Sequence, residues 1–577
     1  MLRLLRVVAA VVVSAGLFVS AWLIRFNDPD GSYAGLTDDH FFYLARGWQI
    51  LFGDLPVRDF VDQGAPLYYY VGAAVQLFGR GTLSELVFSV TVLAAAAVLV
   101  FRLAAVASGS ILAGLLAAWY HVQLAPRLYN YPKIVVYAIA IPLLWRFADA
   151  PTPLNRFWLA LITVVGFLFR HDHGVFVAAG TVAMLLLLSN MPRRDRLRHA
   201  VLYAGTCAAL LLPYVVFVQA NGGVVTYGRQ VAAWAARERA RTPVEWPGLF
   251  DYPDGASDVG GTLVRGAVVA VQDNMVAWVY YLEIGLPIVA LVLLGASSDG
   301  FRRRWPRARE KLAAVAILAL VLDAGFLRSP LEARLADPSV PQAILLAWLV
   351  TALPRLMLTS DSLDPSFRAW VWPIRFVSGA VGGVILLIVW SLMSQQYDRR
   401  DRSFFANGPG AALERASAVA ARVQTDWDIG TWPDRPDRPE LMDLSAYVNA
   451  CTAPGDRVFV QAYMPQVLAL ARRAFAGGHA DLRPGFFVTP EAQRLTVERL
   501  QRQAVPIMLL ETDAPYDNFR ESFPLVTGYI DRNYAWAGAR SFDGRYGTAL
   551  YVRRDRIPSG TYMPLGWPCF GPGVVRP

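Results

Sequence analysis

Two adjacent carboxylates, Asp38 and Asp39, open the stretch Leu36 to Tyr70, where an acidic, aromatic-rich segment lies between apolar runs of membrane length. A carboxylate facing the edge of a bilayer is partly desolvated, which suits it to take a proton from a hydroxyl. The same acids also fit a plain structural role, because Thr37 can cap a helix whose first turn favours negative charge. Farther along, cations recur in three short polar runs: RLYNYPK (Arg127 to Lys133), FRHDHG (Phe169 to Gly174) and RSPLEARLADP (Arg328 to Pro338). Ionisable groups at span ends are costly to desolvate and therefore point to function, although an arginine that snorkels to the interface is the common structural case. Carboxylates opposite such cations supply what is needed to deprotonate an acceptor hydroxyl while binding a phosphate leaving group. Lysine is rare here: Lys133 and Lys311 are the only two among 54 basic residues. His171 and His173 flank Asp172, and His40 follows Asp39, so metal-ligand types are present. H-D-H nevertheless lacks the i, i+4 spacing of helical ligands, and the expectation is no metal.

The element that must carry the acidic pair is a helix. Phe41, Leu44, Ala45, Trp48, Leu51 and Phe52 fall on one stripe, which predicts an amphipathic helix lying on a membrane surface and ended by Gly53. Pro56, Arg58, Asp59, Asp62, Gln63, Gly64 and Pro66 then form a polar loop, followed by Tyr68, Tyr69 and Tyr70, an aromatic cluster of the interfacial kind.

Composition sets the frame for that helix. At 577 residues and 55% hydrophobic content, with positive mean hydropathy, the chain reads as a polytopic α-helical membrane protein with a separate small domain. The net charge of +9 is concentrated in short loops between apolar runs, where it sets orientation, so a nucleic-acid partner is rejected. Val7 to Ile24 follows a short basic N-terminus and reads as a retained first span. Further apolar runs at about 83–107, 110–125, 132–147, 157–169, 174–189, 200–219, 276–296, 312–327, 340–356 and 376–394 make about eleven spans, several of them short.

Threading these runs alternately places the cluster Arg193, Arg194, Arg196, Arg198 and the cluster Arg302, Arg303, Arg304, Arg307 inside, as positive charge demands. The acidic loop and the three polar runs then share the outer face. The expected division is a membrane domain over 1–396, with the first outer loop at 26–82, a linker over 397–440, and an extracytoplasmic α/β domain over 441–577. Within the last, Arg457–Gln461, Ile507–Leu510 and Ala549–Val552 are strand-like, and Pro465–Phe475 and Pro490–Arg502 are helix-like. Cys451 and Cys569 lie in this region and can pair if it is outside the cytoplasm. No P-loop, no G-x-G-x-x-G after a strand and no G-x-S-x-G is present, which argues against nucleotide hydrolysis, a Rossmann cofactor and a hydrolase elbow.

The acidic pair, followed by RGWQILFGDLPVRDF and then GAPLYYY, resembles the membrane-embedded GT-C glycosyltransferases, nearest the branch of protein mannosyltransferases and lipid A aminoarabinose transferases. The likeness extends to the span number and to an outer domain ending in D-G-R-Y-x-x-x-L-Y-V-R-R, here Asp543 to Arg554. The resemblance implies inverting transfer of a sugar from a polyprenyl-phosphate donor to an envelope acceptor at the outer face of a bacterial inner membrane, with neither nucleotide nor obligatory metal. Carried onto these positions, Asp38 or Asp39 is the base. Lys133, Arg127, Arg170, Arg328 and Arg334 are candidates for the donor phosphate, and Asp62, Asp172 and Tyr129 for orienting sugar or acceptor. Family members often carry Glu at the position of Asp39 and Pro at that of Ala65, so the choice between the two acids stays open. A loop from Asn221 to Gln272 is expected to close over substrate. The competing reading, a polytopic lipid or glycan transporter or flippase, predicts charged residues near span midpoints, and Asp323 is the nearest to one. A non-catalytic scaffold is the third.

Overall fold

The structure is a computed structural model that describes residues 2–26, 38–79, 81–188, 191–240, 246–249, 271, 274–296, 307–328, 334–358, 371–396, 402–425, 440–542 and 546–570. The chain divides into two compact units. The first comprises Met1–Ala34, Ser89–Pro213 and Arg239–Ser417; the second comprises Gly35–Phe88, Tyr214–Glu238 and Ala418–Pro577.

The chain is a polytopic helical membrane protein, and every apolar run read from the sequence folds as a helix. Six described helices are long and apolar enough to cross a membrane: Val8–Phe26, Thr82–Ser108, Leu128–Asp149, Arg193–Ala220, Met275–Gly295 and Arg375–Gln395. The 27 residues of Thr82–Ser108 reach about 40 Å at 1.5 Å per residue, more than the ~30 Å hydrocarbon core requires. Ile111–Gln123, Pro153–Phe169 and His171–Leu187 are shorter apolar helices. The 13 residues of Ile111–Gln123 extend only about 20 Å, so this helix needs protein or interface at its ends. In the first unit, Ser339–Leu358 packs against Ile111–Gln123, Val371–Gln396 and Ala308–Arg328, and it is buried almost without interruption from Ser339 to Leu349. A helix apolar around most of its circumference belongs in the middle of a bundle. Small residues let its neighbours approach: a Cβ on Gly174 would lie 2.4 Å from Phe167 Cβ, so only glycine fits where His171–Leu187 meets Pro153–Phe169.

In the second unit a five-stranded sheet runs in the order β2-β1-β3-β5-β4, where β1 is Arg457–Val460, β2 Ala474–Phe475, β3 Ile507–Glu511, β4 Tyr534–Phe542 and β5 Tyr546–Arg553. β1 is parallel to β2 and β3, whereas β5 is antiparallel to β3 and β4. Phe459, Met508, Leu510, Phe519, Phe523, Ile530 and Tyr534 form its core under the helices Pro490–Arg502, Asp513–Ser522 and Pro524–Asn533. The strand-like and helix-like runs of the sequence are found, except that Pro465–Phe475 divides into a helix ending at Ala471 and the short strand β2. Arg472, left-handed at φ 50°, makes that division. Cys451 and Cys569 are disulfide-bonded, closing the sheet domain across 118 residues. Within the stretch expected as a linker, Arg402–Thr425 is helical and is interrupted at Gly408 (φ 71°) before Pro409. Within the expected closing loop, Val224–Ala240 is a helix, and 241–245, 250–270 and 272–273 lie outside the described residues. Asp543 to Arg545 and Arg302 to Arg304 also lie outside them.

The helix of the acidic pair spans Asp38–Leu51, and Gly53 follows it at φ 91°. Its apolar stripe does not lie on a membrane surface as expected. Phe41, Leu44, Ala45 and Trp48 are buried against protein, in a packing with Pro66–Gly79, Pro465–Ala471 and β2. A stripe at this spacing is the same whether lipid or protein covers it, so periodicity alone does not distinguish the two. The polar face shows the difference, since His40, Arg46 and Gln49 are buried as well.

Candidate active site

In the second unit Asp39 occupies the first turn of Asp38–Leu51 and is half-buried. Its Oδ1 accepts a hydrogen bond from the Tyr463 hydroxyl at 2.7 Å. Tyr463 follows β1, and the Arg483 guanidinium stands 4.6 Å from its ring while donating to Asp481 at 2.6 Å. Burial raises the Tyr463 phenol well above its ordinary range, and the Asp39 charge beside it adds to the rise, so the hydroxyl stays a donor. Among the described residues Asp39 Oδ2 has no hydrogen-bond partner, which leaves it open to a hydroxyl proton. Asp38 begins the helix, but its side chain and Thr37 lie outside the described residues.

Asp62 is buried at the start of the turn into Pro66–Gly79. Its Oδ1 accepts from the amides of Gly64 (2.9 Å) and Ala65 (3.0 Å), and its Oδ2 accepts from the hydroxyls of Tyr214 (3.0 Å) and Tyr227 (2.9 Å). Four donors satisfy the carboxylate, which therefore shapes this loop and ties it to the helix Val224–Ala240. The remainder of the acidic loop is fixed to the sheet. Gln49 pairs with both the amide (2.9 Å) and the carbonyl (3.2 Å) of Phe475, acting as a strand neighbour to β2. Arg457 at the start of β1 holds Asp54 with two bonds, 2.5 and 2.9 Å long. His40 Nε2 lies 3.4 Å from Glu85, and both are buried. Gly47 permits the helix Pro66–Gly79 to come this close, since a Cβ there would sit 3.0 Å from the Ala73 amide.

A second cluster forms in the first unit around Lys133, near the start of Tyr131–Asp149. Lys133 is 5% exposed, and its Nζ lies 2.6 Å from Asp337, which also accepts from Asn130 at 3.3 Å. Arg170 forms a two-pronged pair with Asp172, at 2.7 and 2.6 Å, and His173 Nδ1 lies 3.1 Å from the same carboxylate and 3.2 Å from the Tyr137 hydroxyl. Sequence spacing gave no sign that these two runs meet, yet Lys133 lies within electrostatic reach of both Arg170 and Asp172. The cluster thus combines two cations with two carboxylates. Arg127 donates to the Tyr129 hydroxyl at 3.1 Å, and Arg334 donates to the Gly325 carbonyl at 3.1 Å. Arg328 ends its helix, and its side chain lies outside the described residues.

Sequence reading missed Tyr463, Tyr214, Tyr227 and Asp337. The first three carry no local signal, because each meets its carboxylate over more than 150 residues. Asp337 stands inside the run RSPLEARLADP, but nothing in that run marks it as the partner of Lys133. Also missed is Glu283, fully buried within the span Met275–Gly295; its Oε1 accepts from Tyr120 at 3.2 Å. Asp323 lies nearby, held by the Gln342 amide at 3.1 Å.

No family model and no curated protein matches the chain. Among solved structures it is similar to the crystal structure of ArnT from Cupriavidus metallidurans bound to undecaprenyl phosphate. That similarity spans 94% of this chain and 97% of the other, at 13% identity and a TM-score of 0.43. A likeness this loose carries no argument about residues or reaction.

Proposed function

We propose that this protein is an inverting glycosyltransferase that moves a sugar from a polyprenyl-phosphate-linked donor to an envelope acceptor at the outer face of a bacterial inner membrane. The observation that carries the reading is Asp39 itself. One of its oxygens is fixed by a tyrosine hydroxyl and the other has no partner among the described residues, on a helix whose sequence has the acidic-pair pattern. In the proposed step the free oxygen takes the proton as the acceptor oxygen attacks the sugar carbon, and the polyprenyl phosphate departs with its electron pair. Within the first unit, Lys133 and Arg170 are the residues proposed to bind a donor phosphate, with Asp337 and Asp172 positioning them. The disulfide supports an extracytoplasmic sheet domain, because such bonds persist in oxidising compartments. The test is transfer from a radiolabelled polyprenyl-phosphate sugar in membrane vesicles, with envelope extract as acceptor. A parental protein that forms no labelled product, beside an active control transferase, refutes the reading.

One observation favours a second reading, a lipid or glycan transporter: Glu283 and Asp323 are buried carboxylates within apolar helices of the first unit. Loss of lipid-linked substrate movement in Glu283→Gln vesicles, with transfer chemistry intact, would establish it.

A further inference from the structure

Asp39 stands at one end of a column of rings and cations that lies wholly within the second unit. The Tyr463 hydroxyl holds its Oδ1 at 2.7 Å. The Arg483 guanidinium is 4.6 Å from the Tyr463 ring and 5.8 Å from the Phe486 ring, so it bridges the two. Trp234, on the helix Val224–Ala240, packs on Phe486 with ring centroids 4.3 Å apart, and Arg237 stands 5.5 Å from the same ring. A helix remote in sequence from the acidic pair is thereby joined to it through three side chains.

Each member of the column is also fixed from outside it. Arg483 donates its Nε to the buried Asp481 at 2.6 Å, which orients the guanidinium. The Leu482 amide donates to the Gln461 carbonyl at 3.1 Å, so the segments carrying Arg483 and Tyr463 are tied through their backbones at the end of β1. Arg483 to Phe486 form a type II turn: Pro484 takes its second position, Gly485 its third at φ 90°, and the Phe486 amide donates back to the Arg483 carbonyl at 3.3 Å. Phe487 follows at φ 56° and packs on the sheet-domain core and, at 4.9 Å, on His479. A bulky residue in the left-handed region costs energy, so the fold keeps this turn against strain. On the helix Val224–Ala240, Tyr227 and Trp234 lie two turns apart on one face, and Tyr227 donates to Asp62 at 2.9 Å. Residues 228–230, 232–233 and 235–237 are exposed, so the helix meets the rest of the unit along a narrow stripe in which Trp234 is the aromatic contact.

We propose that Trp234 and Arg483 are positioning residues for Asp39: Trp234 seats Phe486, Phe486 and Asp481 seat Arg483, and Arg483 holds the Tyr463 ring where its hydroxyl orients the carboxylate. The inference rests on Asp39 being the base of the transfer proposed above. Its consequence is that the helix Val224–Ala240 sets the rate of transfer without touching the reacting atoms. Burial raises the Tyr463 phenol and the Asp39 charge adds to the rise, whereas the Arg483 charge opposes both, so the guanidinium also strengthens the hydroxyl as a donor to Asp39.

The test takes the full chain in nanodiscs. Hydrogen exchange read by mass spectrometry needs no substrate: Trp234→Ala should speed exchange about fivefold in peptide 461–466 as well as in 483–488, while 507–511, the core strand, keeps the parental rate. Arg483→Gln, which leaves the helix seated, should speed 461–466 by about the same factor. In transfer from a radiolabelled polyprenyl-phosphate sugar, Trp234→Ala should lower kcat about fivefold with KM within about twofold of the parental value, and Trp234→Phe, which keeps an aromatic contact, should recover most of the loss. Because Tyr463→Phe already removes the last link, adding Trp234→Ala to it should cost less than about twofold more. Faster exchange confined to 483–488 would make Trp234 a local packing residue and overturn the proposal. So would a double variant about fivefold slower than Tyr463→Phe alone, since Trp234 would then act by another route. A parental protein that transfers no sugar refutes the reaction, and the exchange still decides whether Trp234 sets Tyr463.

Discussion

Tyr463 donates its hydroxyl to Asp39 at 2.7 Å across 424 residues of sequence, so the acid proposed as base is oriented by the loop that follows β1. Asp39→Asn keeps the side-chain shape and cannot take a proton. It should lower transfer by roughly 10²–10⁴ and leave folding intact, the usual cost of losing a general base. Tyr463→Phe removes only the orienting bond and should cost about tenfold in kcat, in line with one hydrogen bond to a charged group. Rates from a vesicle assay with a polyprenyl-phosphate sugar decide it. If Asp38→Asn and Asp39→Asn both run at the parental rate, the acids are caps.

Burial pulls the His479 imidazole down to about 3, and Arg499 and Arg46 push the same way. Its Nε2 lies 3.0 Å from the Thr496 hydroxyl, which itself donates to the Ala492 carbonyl, so the imidazole supplies the proton of that bond. The folded value is below the unfolded one, near 6.5. Above pH 6.5 both states are neutral and the full stability is present; below it the unfolded chain binds a proton that the folded chain refuses, and stability falls until about pH 3. Over the interval from pH 6.5 to 5 this single group should remove about 2 kcal/mol. His479→Gln should flatten that part of the profile, read as the thermal midpoint of the full chain at pH 7 and pH 5. An equal fall in parent and variant would assign the acid sensitivity to other groups.

The placement of the sheet domain outside the cytoplasm is a proposal with its own check. Cys451 and Cys569 are buried and bonded to each other, whereas Cys207 is free within an apolar helix. Protein from an oxidising compartment should take up one maleimide before denaturing reduction and three after it. A cytoplasmic-only reporter that is active when fused after Val552 would place the domain inside and remove most of the functional case.

The helices were legible because each apolar run is long and punctuated by Gly, Pro or charge, as at Gly109 before Ile111–Gln123 and Thr152–Pro153 before Pro153–Phe169. β1, β3 and β5 were legible for the same reason, as short apolar runs between turns. β4 was not: Tyr534–Phe542 reads YAWAGARSF, too mixed in polarity to show a period, with a bulge between Trp536 and Gly538 where the register against β5 shifts. The acids and cations of the candidate site were legible as residue types at span ends. Their partners were not, because Tyr463 to Asp39, Tyr227 to Asp62 and Asp337 to Lys133 are tertiary contacts that leave no spacing in the sequence.

Lys133 and Asp337 show how such a contact changes a prediction. Lys133 is nearly buried and its Nζ lies 2.6 Å from a carboxylate that is itself about one-fifth exposed, so Lys133→Ala does two things at once. It removes a compact cation suited to a phosphate oxygen, and it leaves the largely buried Asp337 without its cation, with the Asn130 amide as its remaining donor. Losing a preorganised charge from the transition state is expected to lower kcat/KM for a polyprenyl-phosphate-linked sugar by roughly 10²-fold or more. Leaving a carboxylate unpaired predicts a loss of thermal stability as well. The double variant Lys133→Ala/Asp337→Asn separates them, since the neutral amide no longer needs a cation. If Lys133 meets the donor phosphate, the double variant should recover stability and remain about as inactive as Lys133→Ala. If the pair is only structural, the double variant should recover both stability and turnover, and Lys133 would leave the proposed site.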